Sequence, residues 1–383
     1  MMTWKLDESG QRALGAVERI ACDVVGPAAA ETDQLARFPQ AGIDALRQAG
    51  LLGLISAPDV GGQGQPLRAA AAICERLARE CPSTAMIVTM HYCATAIVEH
   101  FGAEDLRRAI AEQGKLLTLA FSESGSRSHF WVPVSTATPN GNGVKLNAVK
   151  QLITAAGHAD YYIWSSRPAV AEGLSSIWVV PSTAEGLSIP APFEGMGLRG
   201  NASSPIIAKD VTIPLANRLG EDGKGFDMMM GVVLPWFSLL NGSVSLGMME
   251  GVIVRAVQHV TTSKYAYNGA ALAELPQVRG HIARMRIKTD LMRGFLLDAL
   301  DAVEQGRPDA TLRVLETKAA GAETSLEVHD LAMRVCGGAA FRKDVAVERF
   351  FRDSRASTVM APVTDALYDF IGKAACGLPL FDG

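Results

Sequence analysis

Basic residues are in no excess in this chain. Its 36 Lys and Arg stand against 40 Asp and Glu, a formal net charge of −4 over 383 residues. A cationic face for nucleic acid is therefore not expected. Cysteines are few and far apart, at positions 22, 74, 81, 93, 336 and 376. The closest spacing, Cys74 to Cys81, fits neither a zinc knuckle nor a thioredoxin-type pair, so no metal site is expected and the thiols read as scattered and buried in a reducing compartment. The opening Met-Met-Thr-Trp-Lys-Leu-Asp-Glu lacks an apolar core of signal-peptide length, which points to a cytoplasmic protein. No Gly-x-Gly-x-x-Gly follows a strand pattern, and internal repeats and low-complexity segments are missing as well.

What is present is apolar mass, 48% of residues against 20% charged, as in a folded globular protein. The uncharged stretch from Met228 to Met249 is long enough to span a bilayer. It contains Gly231, Pro235, Asn241, Gly242 and Gly247 and has no basic flank, so a buried helix pair is expected rather than a membrane span.

Periodicity divides the chain into three parts. Residues 1–116 read as an α-helical domain, with Leu14, Val17, Ala21, Val24 and Val25 at helical spacing and further helices over 41–50, 69–78, 85–101 and 105–113. Residues 117–223 read as a β domain, a sandwich or barrel. Its strands are expected at 117–121, 143–154, 161–165, 176–180 and 206–213, separated by Gly, Pro and Asn. Residues 224–383 return to long helices at about 226–265, 273–304, 309–336 and 363–375. The fold class is mostly α with a central β domain, and helices followed by strands followed by helices disfavour a doubly wound sheet.

Five segments carry a resemblance. They are Gly50-Leu-Leu-Gly-Leu-Ile-Ser-Ala-Pro with Gly61-Gly-Gln-Gly64; Phe121-Ser-Glu-Ser-Gly-Ser-Arg-Ser128; Leu146-Asn-Ala-Val-Lys-Gln-Leu-Ile-Thr154; Gly195-Met-Gly-Leu-Arg-Gly200 with Leu219-Gly-Glu-Asp-Gly-Lys-Gly-Phe226; and the tail Arg334-Val-Cys-Gly-Gly338 leading to Arg352-Asp353. In this order they resemble the FAD-dependent acyl-CoA dehydrogenases. The second segment is similar to that family's Thr-Glu-Pro-x-x-Gly-Ser-Asp stretch, and the third to Leu-Asn-Gly-x-Lys-x-Trp-Ile-Thr. The resemblance implies an α-helical domain, a β domain and a C-terminal four-helix bundle, with FAD between them. It further implies a homodimer or homotetramer and a role in acyl-CoA metabolism.

By the same resemblance Phe121, Ser122, Ser128, Leu152, Ile153 and Thr154 would line a flavin slot, and Arg334, Gly337 and Gly338 would approach the cofactor. The hydroxyls of Ser122 and Thr154 suit a flavin's polar edge, because each offers one donor and two acceptor lone pairs. Ser128, His129, Trp236, Phe237 and Ser238 would face substrate, with Trp236 and Phe237 narrowing the pocket toward a compact acyl group.

The departures concern the base. The family's usual catalytic glutamate falls at Ala361, and the position used by some relatives falls at Phe237; neither can take a proton. Ser238 replaces a CoA-contacting arginine, Leu152 replaces a tryptophan, and Tyr265-Ala-Tyr-Asn-Gly269 replaces an Arg-x-x-Phe-Gly motif that reaches FAD across a subunit interface. Asp365, four residues past Ala361, is the candidate replacement base; its alternative role is as an acidic residue in the first turn of the last helix. Glu250 reads as a buried partner of an arginine, Glu123 as structural, His91 as a core histidine, and Arg349, Arg352, Asp353 and Arg355 as a salt-bridged helical face. Three functions stay open. One is an acyl-thioester dehydrogenase passing electrons to an acceptor such as an electron-transfer flavoprotein. Another is a flavin monooxygenase served by a flavin reductase, and the last is a catalytically silent member of the family.

Overall fold

Proline and glycine punctuate the N-terminal helices of the computed structural model, which describes residues 4–379. Asp7 caps α1 (Glu8–Ile20) by accepting the Gly10 amide at 2.6 Å. One wide helical turn, Ala21–Val25, leads into α2 (Gly26–Gln34). The sequence pattern had lost α2 beyond Val25, where Gly26-Pro27 reads as a break; Pro27 instead sits in its first turn. α3 (Gln40–Gln48) is followed by Gly50 at φ +69°, which lets the chain leave the helix. α4 (Leu67–Ala78), α5 (Pro82–Phe101) and α6 (Glu104–Gln113) follow, and α4 is buried on every face.

The middle region forms two four-stranded sheets. β1 (Leu117–Ala120), β4 (Tyr161–Ser166), β5 (Ser176–Pro181) and β8 (Arg218–Leu219) lie in the order β1-β4-β5-β8, with only β1–β4 parallel. β2 (Thr136–Asn140), β3 (Gly143–Ile153), β7 (Ser204–Pro214) and β6 (Leu187–Ser188) lie in the order β2-β3-β7-β6. β2 escaped the sequence reading because it is polar and contains Pro139; it occupies a sheet edge, where a missing N–H is tolerated. Trp164 pairs across from Trp178, both fully buried.

The C-terminal part begins with α7 (Gly225–Met228) and a second wide turn, Met229–Val233, then α8 (Leu234–Thr262), α9 (Pro276–Glu304), α10 (Ala310–Cys336), α11 (Val347–Ser354), α12 (Ala356–Val359) and α13 (Thr364–Ala375). α10 packs on α8, α9 and α13. The apolar stretch expected as a helix pair is one continuous helical run from Gly225 to Thr262, long and apolar enough to cross a membrane but mostly buried inside the fold. Its small residues allow this: a Cβ on Gly251 would stand 2.5 Å from the Arg79 carbonyl of the N-terminal domain. Glu250 on α8 accepts both arms of Arg286 at 2.7 and 2.8 Å and one of Arg293, which also bonds Glu75 of α4 at 2.8 Å. That charge network closes the bundle against the N-terminal domain, so Glu250 has the paired role expected of it. The thiols correct one expectation: Cys22 and Cys376 are exposed, and only the other four are buried.

Candidate functional site

All three parts of the chain meet at a cavity of about 1070 Å³. Met86 and Met90 of α5 form one side. Phe121, Ser122 and Ser128 come from the segment after β1, and Leu152 and Thr154 from the end of β3. Val233 comes from the wide turn before α8, Leu234 and Phe237 from the start of α8, Val359 from the end of α12, and Met360 and Ala361 from the segment after it. Gln151 donates its amide to the Ser122 carbonyl at 2.9 Å, which stitches two of these segments together.

The wall is unusual in its unfinished surfaces. Leu152 is 66% exposed and held at φ +55°, a left-handed conformation that turns its side chain away from the sheet ladder. Met196 and Val359 on the same wall are likewise exposed. Beside them stand the hydroxyls of Ser122, Ser128 and Thr154, the last within 3.2 Å of the Ser203 hydroxyl. Apolar flats next to hydroxyl donors and acceptors suit a planar heteroaromatic ligand with one polar edge, so the residues present fit a flavin.

Every carboxylate on this wall is already engaged. Glu123 is buried, with Lys150 Nζ at 2.5 Å on one oxygen and the Val134 and Ser135 amides at 2.6 and 3.1 Å on the other. Burial pushes this carboxyl up, but the Lys150 charge and these donors outweigh it and hold it below its ordinary value. Burial in turn pushes the Lys150 ammonium down to about 8, against the pull of Glu123. Glu123 is thereby a strut of the loop, as expected.

A second clasp closes the rim. Arg352 grips both oxygens of Asp33 at 3.0 and 2.6 Å, bonds Glu348 at 2.6 Å, and donates to the Met196 carbonyl at 2.8 Å. Next to it Asp353 accepts the Leu198 amide at 2.6 Å, and burial pushes its carboxyl up to about 6. A Cβ on Gly197 would meet the Arg352 carbonyl oxygen at 2.5 Å, so only glycine lets this loop lie on α11. The charged helical face thus joins α2, the β domain and α11, while Arg352 and Arg355 also border the cavity.

Below Ala361 lies Lys318 of α10, fully buried. Its Nζ donates to the carbonyl oxygens of Ser357, Met360 and Pro362 at 3.2, 3.0 and 2.8 Å. Burial pushes this ammonium down to about 7. The ring of Phe237 lies 6.0 Å from Nζ.

The residues singled out from sequence divide cleanly. Phe121, Ser122, Ser128, Leu152, Thr154 and Phe237 share the cavity wall with Ala361. Ile153 is buried behind it, and Ser238 is buried in α8. His129 is exposed, edge-on to Trp131 at 5.1 Å, and Trp236 is half-buried; neither is on the wall. Arg334, Gly337 and Gly338 are exposed at the end of α10, away from the cavity. Asp365 is exposed in the first turn of α13, also off the wall. His91 is a core residue: it accepts the Leu117 amide at Nδ1, faces the Leu52 carbonyl through Nε2, and burial pushes it down to about 4.

Sequence reading missed Lys318, Lys150 and Arg127. Lys318 was signalled only by the small residues Ala319, Ala320 and Gly321 after it. Arg127 was signalled by an arginine standing where the resembled pattern has glycine.

Three family models match the chain. They are described as acyl-CoA dehydrogenase N-terminal domain over residues 8–113, middle domain over 118–211 and C-terminal domain over 223–375. A probable acyl-CoA dehydrogenase of Mycobacterium tuberculosis is 25% identical over 362 residues, 93% of this chain and 92% of that protein. The structure of butyryl-CoA dehydrogenase from Megasphaera elsdenii superposes with a TM-score of 0.90 at 21% identity, covering 98% of this chain and 100% of that one. PigA, solved with FAD and proline, superposes with a TM-score of 0.87 at 20% identity, covering 98% and 100%.

Proposed function

Because this chain belongs to the acyl-CoA dehydrogenase family, we propose that it is an FAD-dependent oxidoreductase that takes an acyl thioester, or a small molecule of similar polarity, into the cavity between its three parts. One observation carries the reading: exposed Leu152, Met196 and Val359 border the same wall as the hydroxyls of Ser122, Ser128 and Thr154. The chemistry that a bound flavin supplies is acceptance of a hydride or, once reduced, activation of oxygen. Ser122, Ser128 and Thr154 would bond its polar edge, and Phe121, Leu152 and Ile153 would shape the slot. Phe237 and the two methionines of α5 exclude water and leave room for a compact apolar group. Arg334, Gly337 and Gly338 enter this reading only through a second copy of the chain, since their exposed surfaces lie outside the cavity.

In the dehydrogenase form, a base removes the proton alpha to the thioester carbonyl. Asp365 is the proposed base; exposed in α13 and off the cavity wall, its carboxylate would have to be brought to the substrate. Electrons would then pass to an external acceptor such as an electron-transfer flavoprotein.

A second reading is favoured by a specific feature of the wall. Ala361 and Phe237 both face the cavity without an ionisable group, and Glu123 is committed to Lys150. An oxygenase supplied with reduced flavin by a reductase needs no such base. An anaerobic absorbance titration with a panel of acyl thioesters tests the first reading, with flavin bleaching expected. Thioester-independent oxygen uptake with reductase-supplied flavin would favour the second. A purified protein that neither carries nor binds flavin would overturn both.

A further inference from the structure

Arg127 is the one arginine on the cavity wall whose charge the described residues leave unanswered. Arg352 is held by Asp33 and Glu348, and Arg355 by Asp330 at 2.6 Å. The carboxylate of Glu123 is cancelled by Lys150. Arg127 lines the same cavity, is exposed, and its guanidinium has no hydrogen bond or ion pair among the described residues. The wall therefore carries one uncompensated positive charge.

The backbone adds a second observation. Arg127 sits at φ +47°, in the left-handed region that disfavours any residue with a Cβ. Its amide donates to the Glu123 carbonyl at 3.2 Å, closing a turn that glycine would close with less strain. The side chain returns no bond to the fold for that strain. That conformation and the free guanidinium on the cavity wall together point to a side chain available to a ligand. A planar guanidinium with a free fork matches the paired oxygens of a carboxylate or a phosphate, and the cofactor and thioester carrier of the proposed reading both carry phosphate.

We propose that Arg127 binds a phosphate group of the ligand that enters this cavity, fixing the ligand's charged end while the apolar wall receives the rest. This rests on the flavoenzyme reading above. The phosphate belongs either to the flavin cofactor or to the carrier of a thioester substrate, and one experiment separates them. The purified full-length chain is titrated with riboflavin, FMN and FAD by fluorescence, and with coenzyme A and pantetheine by calorimetry, alongside Arg127→Gly and Arg127→Gln.

If the phosphate is the cofactor's, both variants lose at least tenfold in affinity for FMN and FAD and leave riboflavin unchanged. If it is the carrier's, the loss falls on coenzyme A and spares pantetheine. In either case Arg127→Gly raises the thermal midpoint of the unliganded chain, because the left-handed strain is relieved; Arg127→Gln retains the strain and reports the charge alone. Equal affinity of wild type and both variants for every phosphorylated compound would overturn the proposal while leaving the flavoenzyme reading standing. A wild-type chain that binds no flavin would overturn that reading, and one that binds none of the phosphorylated compounds would overturn both.

Discussion

Lys318 on α10 donates to the Pro362 carbonyl oxygen across 2.8 Å, and the Ser357 and Met360 carbonyls complete its shell. No carboxylate among the described residues pairs with it. The helix bundle therefore holds three backbone carbonyls of the segment bearing Ala361 through one ammonium, beside the side-chain contacts of Asn241 with Met360 at 3.4 Å and of Ser245 with Ser357 at 3.2 Å. Three neutral acceptors favour the charged form there, and burial opposes it.

Replacing Lys318 by methionine keeps the volume and strands three buried carbonyls. The expected loss is about 3 kcal/mol of unfolding free energy, read from urea denaturation. Flavin retention should fall with it, since Met360 and Ala361 lose their support. An unchanged urea midpoint would show that the carbonyls find other donors.

Ala361→Glu places a carboxylate on the cavity wall. If the cavity holds a flavin and an acyl thioester, general-base help on the order of 100-fold is expected. The measurement is the anaerobic rate of flavin bleaching by a short acyl-CoA. The companion variant Asp365→Asn should slow wild-type bleaching if Asp365 supplies the base. No effect from either substitution would exclude thioester dehydrogenation in this site.

Asp353 predicts a pH dependence with a definite sign. Burial pushes its native carboxyl up to about 6, above the ordinary carboxylate value of about 3.9. Between those values the native chain binds the extra proton, so this residue favours folding more as pH falls from about 6 toward 4. Asp353→Asn keeps an oxygen to accept the Leu198 amide and removes the titration. Its stability relative to wild type should therefore be highest above pH 6 and decline on acidification; a parallel pair of pH–stability curves would contradict the assignment.

Leu152→Ser separates binding from folding. At 66% exposure this side chain contributes little to the core, so the unliganded midpoint should move by roughly 0.5 kcal/mol or less. Flavin affinity should drop several-fold, because the apolar flat under the ring is lost. Unchanged flavin binding by fluorescence titration would remove Leu152 from the site.

Much of the fold was legible because its signals are local. Gly50 at a left-handed φ, the alternation in β3, and the apolar periodicity of α4, α5 and α8 all depend on neighbours within a few positions. β2 was lost because Pro139 and its polar neighbours carry no apolar alternation, and α2 because Gly26-Pro27 reads as a break although proline fits a first helical turn. Phe121, Ser122, Ser128, Leu152 and Thr154, proposed to line a flavin slot, were reached through motifs, and they share one cavity. Burial and pairing were not legible: Lys318 looks like any helix-surface lysine, and nothing in the order of residues ties Asp33 to Arg352.

By itself, then, the sequence determined the helix–strand–helix order and the absence of an ionisable group at Ala361 and Phe237, since residue identity and short-range periodicity need no partner. The tertiary structure alone decided which charges are answered. It joined Asp33 to Arg352 and Glu123 to Lys150, enclosed Lys318 in carbonyls, and left Arg127 open at the cavity. Those outcomes depend on contacts between segments far apart in the chain, and on the low dielectric that burial creates around them.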